Sequence, residues 1–139
     1  MKILLDTNIL VGLCEENRRA RMAQAIRRQR TLGDELCLVP QVLYEFWVVA
    51  TRPADDNGLA MGPKQTEDRV REMVESFPLR DDVDGIYNVW LDIVSAQHVQ
   101  GKRAHDARLV AALRIHKLDA IMTENAGDFA GLGVSLIKI

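Results

Sequence analysis

The sequence is poor in the residues that most often announce a zinc or redox site. Only two cysteines occur among 139 residues, Cys14 and Cys37, and neither forms a CxxC pair or lies near a histidine at zinc-ligand spacing. A disulfide framework and a structural zinc are set aside, and both thiols are expected to pack as small apolar groups. The three histidines, His98, His105 and His116, make no HxH or HExxH pattern. His105 stands out only because Asp106 follows it, and an ordinary helix histidine is the simpler account. No apolar run approaches the roughly 20 residues of a membrane-spanning helix. The start, MKILLDTN, lacks the charged, apolar and cleavage regions of a secretory leader, so a cytoplasmic protein without a membrane partner is expected. There is no internal repeat, low-complexity tract or second domain, and residues 1–139 are expected to form one domain that buries about 68% of its unfolded surface.

Charge is what the chain distributes unevenly. The net charge is −2 and the pI about 5.9, which by itself argues against a nucleic-acid partner. Yet residues 18–30 hold six arginines and no acid. A one-signed helix on an acidic body is a local footprint for phosphates, or else a solvated helix face. Its apolar stripe, Ala20, Met22, Ala23 and Ile26, predicts that the arginines face outward.

The apolar runs Ile3-Leu4-Leu5, 35–39, Ala120-Ile121-Met122 and 135–137 read as buried strands, with 77–79 as a brief further one. Between them, helices are predicted over 9–14, 18–30, 41–51, 64–76, 81–100 and 104–117. Pro40 suits the first turn of the third helix. Asp81, Asp82 and Asp84 are assigned to the first turn of the fifth, where they suit its dipole, and Gly101 to its end. Residues 53–63, with two prolines and two glycines, form the one long irregular loop. Buried strands alternating with helices predict an α/β fold of three layers, a central mostly parallel sheet of four to five strands flanked by helices.

Four carboxylates fit this scheme badly unless they have work to do. Asp6 stands where the first strand stops, the place where open α/β sheets bind ligands; helix capping by Asp6, Thr7 or Asn8 is the competing account. Glu45 shares the helical face of Val42 and Val48 or Val49, with no Lys or Arg one turn away. A lone carboxylate there costs several kcal/mol unless protonated, paired or bound to a metal, and the alternative is an exposed strip. Asp106 heads the stripe Leu109, Val110, Leu113, where capping again competes. Asp128 follows the third long strand in the segment Asn125-Ala126-Gly127-Asp128-Phe129, where turn chemistry alone would explain it. Together the four can meet at the carboxyl edge of one sheet. Four such anions would repel strongly unless divalent cations balanced them, and all-oxygen ligands suit Mg²⁺ or Mn²⁺ rather than zinc.

Leu5-Asp6-Thr7-Asn8-Ile9-Leu10, Pro40-Gln41-Val42-Leu43-Tyr44-Glu45-Phe46, His105-Asp106-Ala107-Arg108-Leu109-Val110-Ala111-Ala112 and Thr123-Glu124-Asn125-Ala126-Gly127-Asp128-Phe129 occur in that order across nearly the whole chain. In this set the sequence resembles PIN domains, more specifically the VapC-type ribonuclease toxins of bacterial toxin–antitoxin modules. The resemblance implies a Mg²⁺-dependent endoribonuclease whose acidic set is Asp6, Glu45, Asp106 and Asp128. Glu124 is the reserve for the fourth place, since family members differ in where the last acid falls. It also implies that Asn8 and Thr123 steady an acid or touch the scissile phosphate, and Asn125, at a place that can be acidic in the family, is a further substrate-side candidate. By their charge, the arginine-rich helix and Lys102-Arg103 beside Asp106 would hold the RNA backbone. The expected partners are an RNA substrate, a cognate antitoxin protein and a second copy of the chain. The apolar helix 41–51 and the mixed helix 64–76 are candidate contact surfaces, although the protein's own core competes for their apolar residues. Two other functions fit the same fold. One is a PIN-like module that binds RNA or protein without cutting; the other is a small Mg²⁺-dependent phosphatase, which would want a second acid where Asn8 stands.

Overall fold

The computed structural model describes all 139 residues, and its sheet explains the apolar runs. Strand β1 (Lys2–Leu5) carries Ile3, Leu4 and Leu5, each fully buried. Successive strand residues point to opposite faces, so burial of all three requires helices on both sides of the sheet. Strand β2 (Glu35–Cys37) lies on one side of β1, β3 (Ala120–Thr123) on the other, and β4 (Leu136–Lys138) beyond β3. All pairings are parallel, in the order β2-β1-β3-β4. The predicted brief strand survives as a single parallel bridge between Leu79 and Leu38.

Six helices fill the connections: α1 (Thr7–Leu13), α2 (Arg19–Thr31), α3 (Pro40–Thr51), α4 (Pro63–Ser76), α5 (Ile86–Ala96) and α6 (Arg103–Ile115). The first starts two residues earlier than the apolar pattern suggested, because Asp6 caps it directly. Helix α5 is shorter than predicted at both ends. Gly85, with φ +97°, turns the chain just before Ile86, so Asp81, Asp82 and Asp84 precede the helix rather than loading its first turn. At the other end α5 stops at Ala96, and His98 adopts a left-handed φ of 50°, well ahead of Gly101. The loop after α3 folds back on that helix through Leu59 N–H to the Val49 carbonyl and Met61 N–H to the Ala50 carbonyl. Gly58 permits this approach, since a Cβ there would sit 2.0 Å from the Arg52 carbonyl oxygen.

Helix α3 divides its apolar residues between two fates. Val42, Leu43, Phe46 and Ala50 enter the core, whereas Tyr44, Trp47 and Val48 remain exposed. No helix is long and apolar enough to cross a membrane.

The topology fixes where chemistry can occur. The chain leaves β1 toward β2 and leaves β3 toward β4, so the connections from these two neighbouring strands depart in opposite directions. Such a switch point opens a crevice beyond the carboxyl ends of the two strands. Asp6 and Thr123 occupy those ends.

Candidate active site

Asp6 is 7% exposed at the head of the crevice. Its Oδ1 accepts from the Thr7 N–H at 2.8 Å, so the capping account is correct for this oxygen. Its Oδ2 does something else. It accepts from Thr123 Oγ1 at 2.7 Å and from Asn8 Nδ2 at 3.2 Å. Asn8 Nδ2 also donates to Thr123 Oγ1 at 3.1 Å, while Asn8 Oδ1 accepts the Glu124 N–H. Asn8 and Thr123 therefore hold Asp6 between β1 and β3. Burial raises the Asp6 pKa, the bonds from Thr123 and Thr7 oppose the shift, and the charges of Glu45 and Asp128 add to it.

Glu45 projects from α3 toward the same crevice and is half-buried rather than lying on an exposed strip. Thr7 Oγ1 donates to its Oε2 at 2.7 Å and Gln41 Nε2 to its Oε1 at 2.8 Å. Thr7, Gln41 and, behind Gln41, Arg108 are functional neighbours that sequence reasoning did not single out. The i, i+4 spacing of Gln41 and Glu45 was a readable signal; a contact to Arg108, 67 residues away, was not.

Asp106 lies one turn inside α6, whose N-cap is Lys102, so it is not a capping residue. Burial pushes its carboxyl up to about 6, and the charges of Asp128, Asp6 and Glu45 push the same way, against Arg103. No hydrogen bond offsets these effects. Asp128, exposed in a 3₁₀ turn at Ala126–Phe129, completes the set. The charges of Glu45 and Asp128 thus bear on both Asp6 and Asp106, which brings carboxylates from four separate elements into one electrostatic neighbourhood.

Glu124, by contrast, is turned away. It pairs with Arg18 and Arg21, and Arg18 also bonds Glu15 and the Asn8 carbonyl. As the stripe predicted, Arg19, Arg21, Arg27, Arg28 and Arg30 are exposed; only Arg18 is half-buried, where it and Arg21 bond Glu124. Arg30 is likewise bound, lying over the Phe77 ring and donating to the Ser76 carbonyl. Arg103 donates to the Ala130 carbonyl beside Asp106, and Asn125 is exposed at the rim with its N–H on Thr123 Oγ1.

An all-oxygen, multiply anionic crevice is chemically matched to a hard divalent cation. No three side chains among the Asp, Glu, His and Cys converge into a ready-made cage. Mg²⁺ does not require one, since it keeps several waters and is bound through one or two carboxylates plus substrate phosphate. The donor set fits such an ion.

The PIN domain family model matches residues 3–133. The chain belongs to the PIN domain family. No curated protein is significantly similar to it in sequence. Among solved structures, it resembles a chain of DNA-bound VapBC2 from Rickettsia felis with a TM-score of 0.77 and 12% identity, covering 100% of this chain and 99% of that one. A chain of DNA-bound VapBC from Salmonella typhimurium matches with a TM-score of 0.75 and 14% identity, over 99% and 98% of the two chains. FitAcB from Neisseria gonorrhoeae gives 0.73 and 16%, over 98% and 96%. At these identities the likeness establishes the shared PIN fold.

Proposed function

We propose that this PIN domain protein is a divalent-metal-dependent endoribonuclease, the toxin of a toxin–antitoxin pair. The observation that carries the proposal is the anionic crevice at the switch point between β1 and β3: Asp6 stands at the strand end, Thr7 beside it bonds Glu45, and the charges of Glu45 and Asp128 raise both Asp6 and Asp106. The resident cation would be Mg²⁺, with Mn²⁺ as its substitute. When bound, it supplies charge neutralisation of the scissile phosphate and acidifies water for in-line attack, leaving a 5′-phosphate and a 3′-hydroxyl. Asp6, fixed by Thr7, Asn8 and Thr123, presents a rigid ligand oxygen at the strand end. Glu45, held by Thr7 and Gln41, offers a second anion from the opposite wall. Asp106, with its carboxyl raised to about 6, can take up a proton near neutral pH, or release it to water where a cation takes its place. Asp128 closes the pocket at the solvent side, and the neighbouring Arg103, together with Arg18 and Arg21 at the Glu124 edge, would meet the RNA backbone.

Two further surfaces support the toxin assignment. Tyr44 and Trp47 on α3 and Val70 and Val74 on α4 line an exposed, largely apolar groove. We assign it to an antitoxin segment, in keeping with a structural neighbour from Klebsiella pneumoniae that is itself part of a toxin–antitoxin complex. Tyr87 and Leu91 on α5 form a second exposed apolar face, which we assign to a homodimer. The cell compartment is then the cytoplasm, where the RNA is.

The deciding experiment is cleavage of an end-labelled RNA panel by purified protein with Mg²⁺, Mn²⁺ or EDTA, alongside Asp6→Asn and Asp106→Asn. Metal-dependent cutting that disappears in both variants is expected. Cutting that persists in EDTA or in both variants would refute the mechanism, and folded protein that cuts nothing would make this a binding module, since a fold does not guarantee an activity.

A further inference from the structure

Gln41 occupies an unusual place for an amide. It lies on α3 one turn before Glu45, is 6% exposed, and is followed by the core residues Val42, Leu43 and Phe46. Every part of its side-chain amide is bonded. Nε2 donates to Glu45 Oε1 at 2.8 Å and to the His105 carbonyl at 2.8 Å, while Oε1 accepts from Arg108 Nη1 at 2.9 Å. A guanidinium can only donate, and a carboxylate and a carbonyl can only accept. Chemistry therefore permits one orientation of the amide, because the flipped one would mismatch all three partners. Arg108 is itself braced by Asp82 at 3.1 Å.

From this geometry we propose that Gln41, backed by Arg108, is a positioning residue that holds the Glu45 carboxylate ready for a divalent cation and fixes its separation from Asp106. The inference rests on the metal-dependent nuclease reading. Joining α3 to α6 would need only the bond to His105; the bond to Glu45 adds nothing to helix packing. It does orient an anion that the opposite oxygen bonds to Thr7, which follows Asp6. His105 immediately precedes Asp106, so one amide ties two acids on different helices into a fixed relation. Arg108 polarises the amide and strengthens its donation to Glu45 without forming an ion pair that would compete with a cation. Each Glu45 oxygen accepts one such bond and keeps a lone pair free for a cation.

The test compares wild type, Gln41→Met, Arg108→Met and the double variant as full-length proteins. Mn²⁺ affinity is read by electron paramagnetic resonance without RNA, and folding by urea unfolding in EDTA. Removing an outer partner of a metal ligand typically weakens metal binding about tenfold or more, which is the loss expected for Gln41→Met. The metal concentration giving half-maximal RNA cleavage should rise by a similar factor, while the rate at saturating metal falls much less. Arg108→Met should lose about threefold, and the double variant should bind Mn²⁺ no worse than Gln41→Met, because the two residues act in series. Mn²⁺ affinity within twofold of wild type in folded Gln41→Met, or losses that multiply in the double variant, would overturn the inference. Should Gln41→Met fail to fold, Arg108→Met leaves the amide in place, and unchanged Mn²⁺ affinity there overturns it equally. Wild type that binds no Mn²⁺ would instead remove the nuclease reading beneath it.

Discussion

Replacing Asp106 by asparagine should make the metal-free protein more stable, although it should destroy the function. The carboxyl of Asp106 rises from 3.8 to about 6 on folding, so the folded state holds this proton more tightly than the unfolded chain does. Its stabilising contribution is complete below about pH 3.8 and is lost as pH rises through about 6. Near pH 7.5 the ionised side chain therefore burdens the fold. Taken at face value the shift amounts to about 3 kcal/mol, but the side chain is half-exposed and solvent screening reduces this to about 1 kcal/mol. Asparagine keeps the shape and removes the charge, so Asp106→Asn should gain about 1 kcal/mol at pH 7.5, or roughly 3–5 °C in Tm for a chain of this size.

Urea unfolding in EDTA measures this directly. At pH 4 the gain should shrink to about 0.2 kcal/mol, because wild type by then carries the proton. Adding Mg²⁺ at pH 7.5 should reverse the order, since a ligand at 100 times its Kd stabilises the native state by about 2.7 kcal/mol and the variant has lost one anion that holds it. A gap equal at both pH values, or a variant less stable than wild type at pH 7.5 in EDTA, would refute the account of Asp106 as an ionised side chain strained by burial and by Asp128, Asp6 and Glu45.

Glu124→Gln should cost about 1–2 kcal/mol in urea unfolding, the value of charged hydrogen bonds lost to Arg18 and Arg21, yet leave Mn²⁺ affinity within threefold. A large loss of metal would return Glu124 to the acidic set in place of Asp128. Phe46→Ala empties a fully buried site on the helix that carries Glu45 and should cost about 3–5 kcal/mol; a value below 1 kcal/mol would contradict the packing of α3 on the sheet. RNA affinity should fall with salt at about 0.7 logarithmic units per decade for each phosphate contact, so four contacts predict roughly a 50-fold loss between 50 and 200 mM salt. Filter binding to a catalytically dead variant measures it, and salt-independent affinity would remove the arginines from the RNA site.

How much of this was legible depended on whether a residue's partners were near it in sequence. The α/β class could be read because burial on both faces leaves strands as unbroken apolar runs, and Ile3-Leu4-Leu5 and Ala120-Ile121-Met122 are such runs. Glu45 and Asp106 could be read because each interrupts an apolar stripe, a conflict visible along a single helix. The limits of α5 could not, since the Asp-rich start imitates a first turn and only the left-handed φ of Gly85 displaces the helix from it. The arginine helix could be read in sign and in its outward face but not in its pairing, because the anion that Arg18 and Arg21 bond is Glu124, more than a hundred residues away. The same holds for Gln41: its bond to Glu45 has helical spacing, but its meaning depends on Arg108 and His105 from α6. A sequence states which charges a chain owns, while folding decides which of them are left to one another. Arg18 and Arg21 pair with Glu124, and Arg108 with Asp82 and Gln41, so that Asp6, Glu45, Asp106 and Asp128 have no direct cationic partner. That remainder is the negative charge that a divalent cation would balance in the proposed reaction.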